Sequence, residues 1–319
     1  MIKPNLHENL LKELKLRVQK SSELVTILSG ILNLGKEAIY RRLRGEVRFT
    51  FEEVSTICYH LGLSLDSLSE TSDLKRPFSF KIADFANPEE KDYELINEFV
   101  DFLKFIKDSP ITEMGFAAKL IPDGLHINYS YITRFYLFKW IYQYDNYSNI
   151  KKFEDVKGTD RILDILRDMT YHLQFIKKTY YIFDKRIFEN FVDDIKYFKS
   201  IELINDDDVE SLKKDLFSCL DSIEQLASKG INKLGNKTEI YLSNLNFEAG
   251  FSYIESELYK VSTIRAFTMY DITSSDVITF EKSIQWMQSL KRASTLISES
   301  GEIDRYNFFN KQREIVDTL

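Results

Sequence analysis

The sequence predicts a mainly α protein in two parts. An N-terminal five-helix helix-turn-helix domain covers residues 1–69, and a larger, mostly helical C-terminal domain with a few β-strands covers 88–319, joined by a linker at 70–87. Three observations lead there. Apolar residues recur at helical spacing through the first part, with turn and cap residues where each helix must stop. A chain of 319 residues has room for a second and larger unit. Beyond residue 87 the apolar pattern is again mostly helical, with one stretch rich in β-branched and aromatic residues.

In the first part, Leu6, Leu10, Leu14 and Val18, with Leu11 beside them, form the inward stripe of a first helix. Ser21 and Ser22 offer cap oxygens to a second, which carries Leu24, Leu28, Ile31 and Leu32. Asn33 makes the turn, because asparagine tolerates the left-handed backbone better than most residues with a Cβ. A third helix is expected to bury Ala38, Ile39 and Leu43 and to face Lys36, Glu37, Tyr40, Arg41 and Arg44 outward. Thr50 and Glu53 form a capping box for a fourth helix, whose stripe is Phe51, Val54, Ile57, Cys58 and Leu61 and whose stop is Gly62.

The larger part opens with a polar stretch, Ser69 to Lys75, and an alternation of Phe78, Phe80 and Ile82 that suits a short strand. Asn87-Pro88-Glu89-Glu90 starts a helix running to about Asp108. The segment from Ser130 to Tyr144 is apolar almost all round, the mark of a helix buried on most sides. Helices are expected near 160–181, 185–198 and 207–229, the last closed by Gly230. Strands are expected within 240–254 and 261–270, and helices over 275–298 and 305–319.

Residues 9–69 resemble the lambda-repressor-like (XRE) family of helix-turn-helix regulators. The likeness rests on Ile39-Tyr40-Arg41-Arg42-Leu43-Arg44-Gly45, on Phe49 to Val54, and on the ending Leu61-Gly62-Leu63-Ser64-Leu65-Asp66-Ser67-Leu68. It covers about a fifth of the chain. Val25 stands where the family often has Gln, Asn33 where it has Gly, and Arg42 where it is usually apolar. The resemblance implies double-stranded DNA as partner, with the third helix in the major groove.

Side-chain chemistry points the same way. Arg can fork onto a guanine edge, Lys can meet guanine or phosphate, and Glu can accept from cytosine. The candidate DNA-binding residues are therefore Lys36, Glu37, Tyr40, Arg41, Arg42, Arg44 and Arg48, the last as a phosphate contact. Charge supports the placement: residues 1–69 hold 10 Lys and Arg against 8 Asp and Glu, leaving 33 against 42 in the remainder. Only the front end suits a polyanion.

Other chemistry finds little footing. Gly30 to Lys36 matches the start of a phosphate-binding P-loop, but Glu37 replaces the Ser or Thr that would hold magnesium. The four histidines are scattered, Asn205-Asp206-Asp207-Asp208 reads as an acidic helix start, and Ser148 and Lys151 stand alone. No catalytic residue, metal site or cofactor is expected. Cys58 and Cys219 have no metal or redox spacing, and with no leader and no apolar run long enough for a membrane the expected location is the cytoplasm.

Aromatic loading is the remaining signal. Of the 44 Phe, Tyr and Trp residues, 40 lie beyond residue 69. Core packing accounts for most of them, while Tyr131, Tyr136, Trp140, Tyr142 and Tyr144 are candidates for a ligand pocket because buried hydroxyls need partners. The leading expectation is a homodimeric DNA-binding transcriptional regulator, its C-terminal domain dimerising or sensing a small-molecule or peptide effector. The alternative is a helix-turn-helix adaptor or immunity-type repressor whose C-terminal domain binds another protein. An enzyme tethered to DNA would need a cluster of polar groups that the sequence does not offer.

Overall fold

The computed structural model describes residues 6–18, 20–61, 63, 65–68, 83–85, 88–144, 152–156, 160–257, 259–266, 269 and 271–319. The N-terminal unit consists of α1 (Leu6–Arg17), α2 (Ser21–Leu32), α3 (Lys36–Leu43), α4 (Phe51–Leu61) and α5 (Leu65–Leu68). Leu10, Leu14, Leu24, Val25, Leu28, Ile39, Val54, Ile57 and Leu61 close a core of its own. Asn33 adopts the left-handed conformation (φ 51°, ψ 42°). The Thr50–Glu53 capping box forms in both directions, at 2.9 and 3.2 Å.

Three local expectations change here. Lys20, not a serine, caps α2, and it does so without a side-chain bond. Ala38 and Leu43 are half-buried, leaving Ile39 as the one fully buried residue of α3. Phe51, at the first position of α4, lies 68% exposed rather than inward.

The expectation of a mainly α protein is overturned. The chain is α/β, 60% helix and 14% strand, with a seven-stranded mixed sheet. Beyond α6 (Glu90–Ile106) come β1 (Thr112–Ala118), α7 (Asp123–His126), α8 (Ser130–Tyr144), α9 (Asp160–Leu173) and β2 (Lys178–Phe183). Then follow α10 (Ile187–Ser200), α11 (Asp206–Lys229), β3 (Lys237–Ser243), β4 (Phe251–Ser256), β5 (Lys260–Arg265) and β6 (Asp271–Ser274). The chain ends with α12 (Val277–Arg292), β7 (Ser294–Leu296) and α13 (Glu302–Asp317).

The strand order is β6-β5-β4-β1-β2-β3-β7. β1, β2 and β3 run parallel, and the remaining pairings are antiparallel.

β1 had no counterpart in the expected elements, and β2 occupies the end of what was expected as one helix over 160–181. The segment expected as helix to residue 298 ends at Arg292 and adds β7. α6 is capped by Glu89, whose side chain and that of Asp92 form a reciprocal box. Of the expected linker only residues 83–85 are described, and there Ala83 and Phe85 are buried in the main core; the Phe78–Ile82 strand and Asn87 lie outside the described residues. α8, α10, α11 and α13 fall close to their expected places, and α11 carries its Asn205 cap and left-handed Gly230.

Alternation along the strands divides the core. Met114, Tyr181, Phe183, Ile240, Leu242 and Ile254 face the layer of α6, α8–α11 and α13. Ala117, Tyr180, Ile182 and Tyr253 face α12 through Phe280, Met287 and Leu290. Gly115 sits between the second set: a Cβ there would lie 2.4 Å from the Tyr253 ring and 2.6 Å from that of Tyr180. Replacing Gly115 with Ala should therefore destabilise the protein by about 1–3 kcal/mol through overpacking, read as a lower urea midpoint with unchanged slope.

Candidate nucleic-acid interface

α3 presents its charged face to solvent. Lys36, Glu37, Arg41 and Arg44 are exposed, Tyr40 is half-buried, and Arg48 is exposed just beyond the helix. The face is held at its amino end by the Asn33 turn and at its carboxyl end by Gly45, itself left-handed (φ 78°). Arg44 bonds Glu46 at 2.6 Å and reaches Glu37 at 3.5 Å, while Arg41 lies 3.6 Å from Glu46.

Arg42 behaves differently. Its guanidinium forks onto Glu53, Nε to Oε2 at 3.0 Å and the second nitrogen to Oε1 at 2.7 Å, with both side chains largely covered. The same Glu53 closes the capping box of α4. Burial works against its ionisation, but the Arg42 bond and the Thr50 backbone bond hold its carboxyl below the usual range. Arg42 therefore ties α3 to α4 and stands apart from the exposed set.

The expected aromatic pocket does not assemble. Tyr136 and Trp140 are 2% exposed within the main core, Tyr131 packs on Phe153 at 6.3 Å, and Tyr142 lies outward against Phe198 at 5.0 Å. The Tyr144 side chain lies outside the described residues. Of these residues Tyr136 lines a cavity, and that cavity is built mainly by residues without a motif in the sequence.

It lies at the carboxyl edge of the sheet, with a volume of about 30 Å³, lined by Phe116, Lys119, Leu120, Pro122, Asp123 and Arg265 among others. Arg265 ends β5. Its guanidinium meets Asp123 Oδ2 at 2.8 Å and Asp271 Oδ1 at 2.6 Å. His126 Nε2 lies 3.3 Å from Asp123 Oδ1, and its ring packs on Tyr136 at 4.6 Å.

Burial disfavours the charge on Asp123, yet Arg265 and then His126 hold its carboxyl well below the usual carboxylate range. Asp271 is pushed up by burial, with Arg265 opposing. No sequence signal marked this set, since Asp123 and Arg265 lie 142 positions apart and meet only once the sheet forms.

Among the described residues no group of three or more His, Cys, Asp or Glu could hold a metal ion, and no helix is long and apolar enough to cross a membrane. Both cysteines are free and buried. Comparison with family models, curated proteins and solved structures gives no match.

The ion set makes a pH-dependent prediction. Arg265→Met leaves two acids facing each other without their shared cation, which should cost roughly 3–5 kcal/mol at neutral pH. Asp123 has a depressed folded pKa, so its stabilisation is present above the ordinary carboxylate range and fades as pH falls through and below it. The difference between wild type and variant in urea unfolding should accordingly shrink on acidification, and a constant difference would contradict the assignment.

Proposed function

We propose that this protein is a sequence-specific DNA-binding transcriptional regulator, with the exposed face of α3 as its reading surface and the α/β domain as its dimerising or sensing part. The observation that carries this reading is the geometry of α3: one buried residue, Ile39, anchors it while Lys36, Glu37, Arg41 and Arg44 stand free of the core. Its framing turns place that face at the surface of an independently cored unit, as a helix entering a major groove requires. The charge division supports it, since the remainder of the chain is net acidic and does not suit a phosphate backbone.

Two copies acting together would set two α3 helices about one DNA turn, ~34 Å, apart. The N-terminal core spends its apolar stripes on itself, so pairing is assigned to the α/β domain. Sedimentation of the full chain at micromolar concentration should show a dimer.

The reading is tested by selecting bound duplexes from a random pool and titrating variants on the selected site at fixed salt. Arg41→Ala should lose about 1–3 kcal/mol on that site and little on random duplex. Arg48→Ala should weaken both alike and reduce the salt slope by about one. Arg42→Ala should instead lower thermal stability by about 1 kcal/mol, as for loss of a partly exposed ion pair, and leave the ratio of selected to random binding unchanged. Indifference of Arg41→Ala on the selected site would reject α3 as the reading surface.

A further inference from the structure

The charged cavity and the N-terminal domain meet opposite ends of the same strand. β5 runs in the same sense as β1, since each is antiparallel to β4. Arg265 and Lys119 therefore emerge together at the carboxyl edge. Arg265 holds Asp271, the first residue of β6, and β6 pairs only with β5 among the described residues. Four residues on, at the opposite edge, the carbonyl of Ser275 accepts a bond of 2.8 Å from the Arg17 guanidinium of α1. Arg17 also donates to the Leu61 carbonyl at the end of α4 (2.9 Å) and pairs with Glu13, and only 5% of its side chain is exposed. A strand of four residues spans ~13 Å, so β6 by itself bridges the cavity edge and the anchor of the N-terminal domain.

We propose that the cavity is an effector site for the carboxylate head of a small organic acid, and that β6 conveys its occupancy to the N-terminal domain through Arg17. Two cations and one carboxylate line the space, Lys119 and Arg265 against Asp123. Lys119 Nζ lies 3.7 Å from Asp184 Oδ2, too far for a hydrogen bond, so its ammonium is placed to donate to an incoming acceptor. Phe116, Leu120 and Pro122 supply an apolar wall for the carbon adjoining the head. A planar carboxylate matches the guanidinium fork, whereas a dianion would face Asp123, Asp184 and Asp271 together.

The location is the usual one for ligands in open α/β sheets, outside the carboxyl ends of the parallel strands. A carboxylate bound to Arg265 competes with Asp271 for the same cation. The amino end of β6 then loses its anchor, and the position of Ser275 at the other end changes with it.

The output of this device rests on the DNA reading proposed above; its binding step does not. The full chain is heated in acetate, propionate or lactate at millimolar concentration, against chloride and inorganic phosphate at equal ionic strength. At least one acid should raise the melting temperature of the wild type, and Lys119→Met should abolish that rise. No rise with any of the three, an equal rise in Lys119→Met, or a larger rise with phosphate overturns the site.

On the selected duplex, the effective acid should change wild-type affinity about tenfold, which is ~1.4 kcal/mol, and Arg17→Gln should remove the change. Equal responses in the wild type and Arg17→Gln overturn the route through β6. A wild type that binds no duplex overturns the DNA reading and the route with it, while the melting experiment still decides the site.

Discussion

Everything in the larger domain depends on covering three parallel strands on both faces. β1, β2 and β3 cannot be joined by tight turns, so each connection must cross over the sheet with helices. The β1–β2 crossover carries α7, α8 and α9, and the β2–β3 crossover carries α10 and α11. These crossover helices pack with α6 and α13 on one face. α8 lies inside that layer, with Phe135, Phe138 and Trp140 all within the core, which is why it is apolar all round. The opposite face is left to α12, and there Gly115 lets the rings of Tyr180 and Tyr253 approach each other over a strand without a side chain.

The tyrosine excess that suggested a ligand is answered internally. Tyr253 donates to Glu113 at 2.5 Å, and Lys178 meets the other oxygen of that carboxylate at 2.7 Å. Tyr241 donates to Glu239, which Lys237 and Lys291 also hold. Burial opposes the Glu239 charge, but these partners keep its pKa down to about 2. Lys291 in turn stacks on the rings of Tyr180 and Tyr241 at 4.3 and 4.8 Å. The Tyr136 hydroxyl accepts from the Ile121 amide at 3.1 Å. These partners lie two residues away in the same strand for Tyr241, 15 residues away for Tyr136 and 140 away for Tyr253, so composition alone could not distinguish satisfied tyrosines from waiting ones.

What the sequence disclosed and what it hid follow from the range of the interactions. The N-terminal unit was legible because its signals are local: a left-handed Asn33, a Thr50–Glu53 box three residues apart, and apolar stripes of period 3.6. The α11 start and stop, Asn205 and Gly230, were legible for the same reason.

β1 and β2 were not. A parallel strand buried on both faces shows no alternation, and Tyr180-Tyr181-Ile182-Phe183 reads as well in a helix as in a strand. Only Gln174 to Lys177 separates α9 from β2, without Gly or Pro to mark the change. The cavity was hidden more deeply, because Lys119, Asp123, Arg265 and Asp271 are neighbours only through the strand order.

The basic cluster of α3 shows why charge read from sequence must be sorted by cover. Five basic residues between positions 36 and 48 look equivalent in the sequence. Arg41 and Arg44 hold Glu46 in open solvent, where water screens the pairs and a phosphate or base edge can exchange for the carboxylate. Arg42 holds Glu53 where both partners are mostly covered, and releasing it would also open the cap of α4. Position 42 thus holds a cation whose charge is spent inside the fold. Ile39 and the half-buried Leu43 set which face of α3 turns inward. An arginine on the inner flank of α3 therefore need not join the exposed face, provided that a carboxylate one helix away closes the contact.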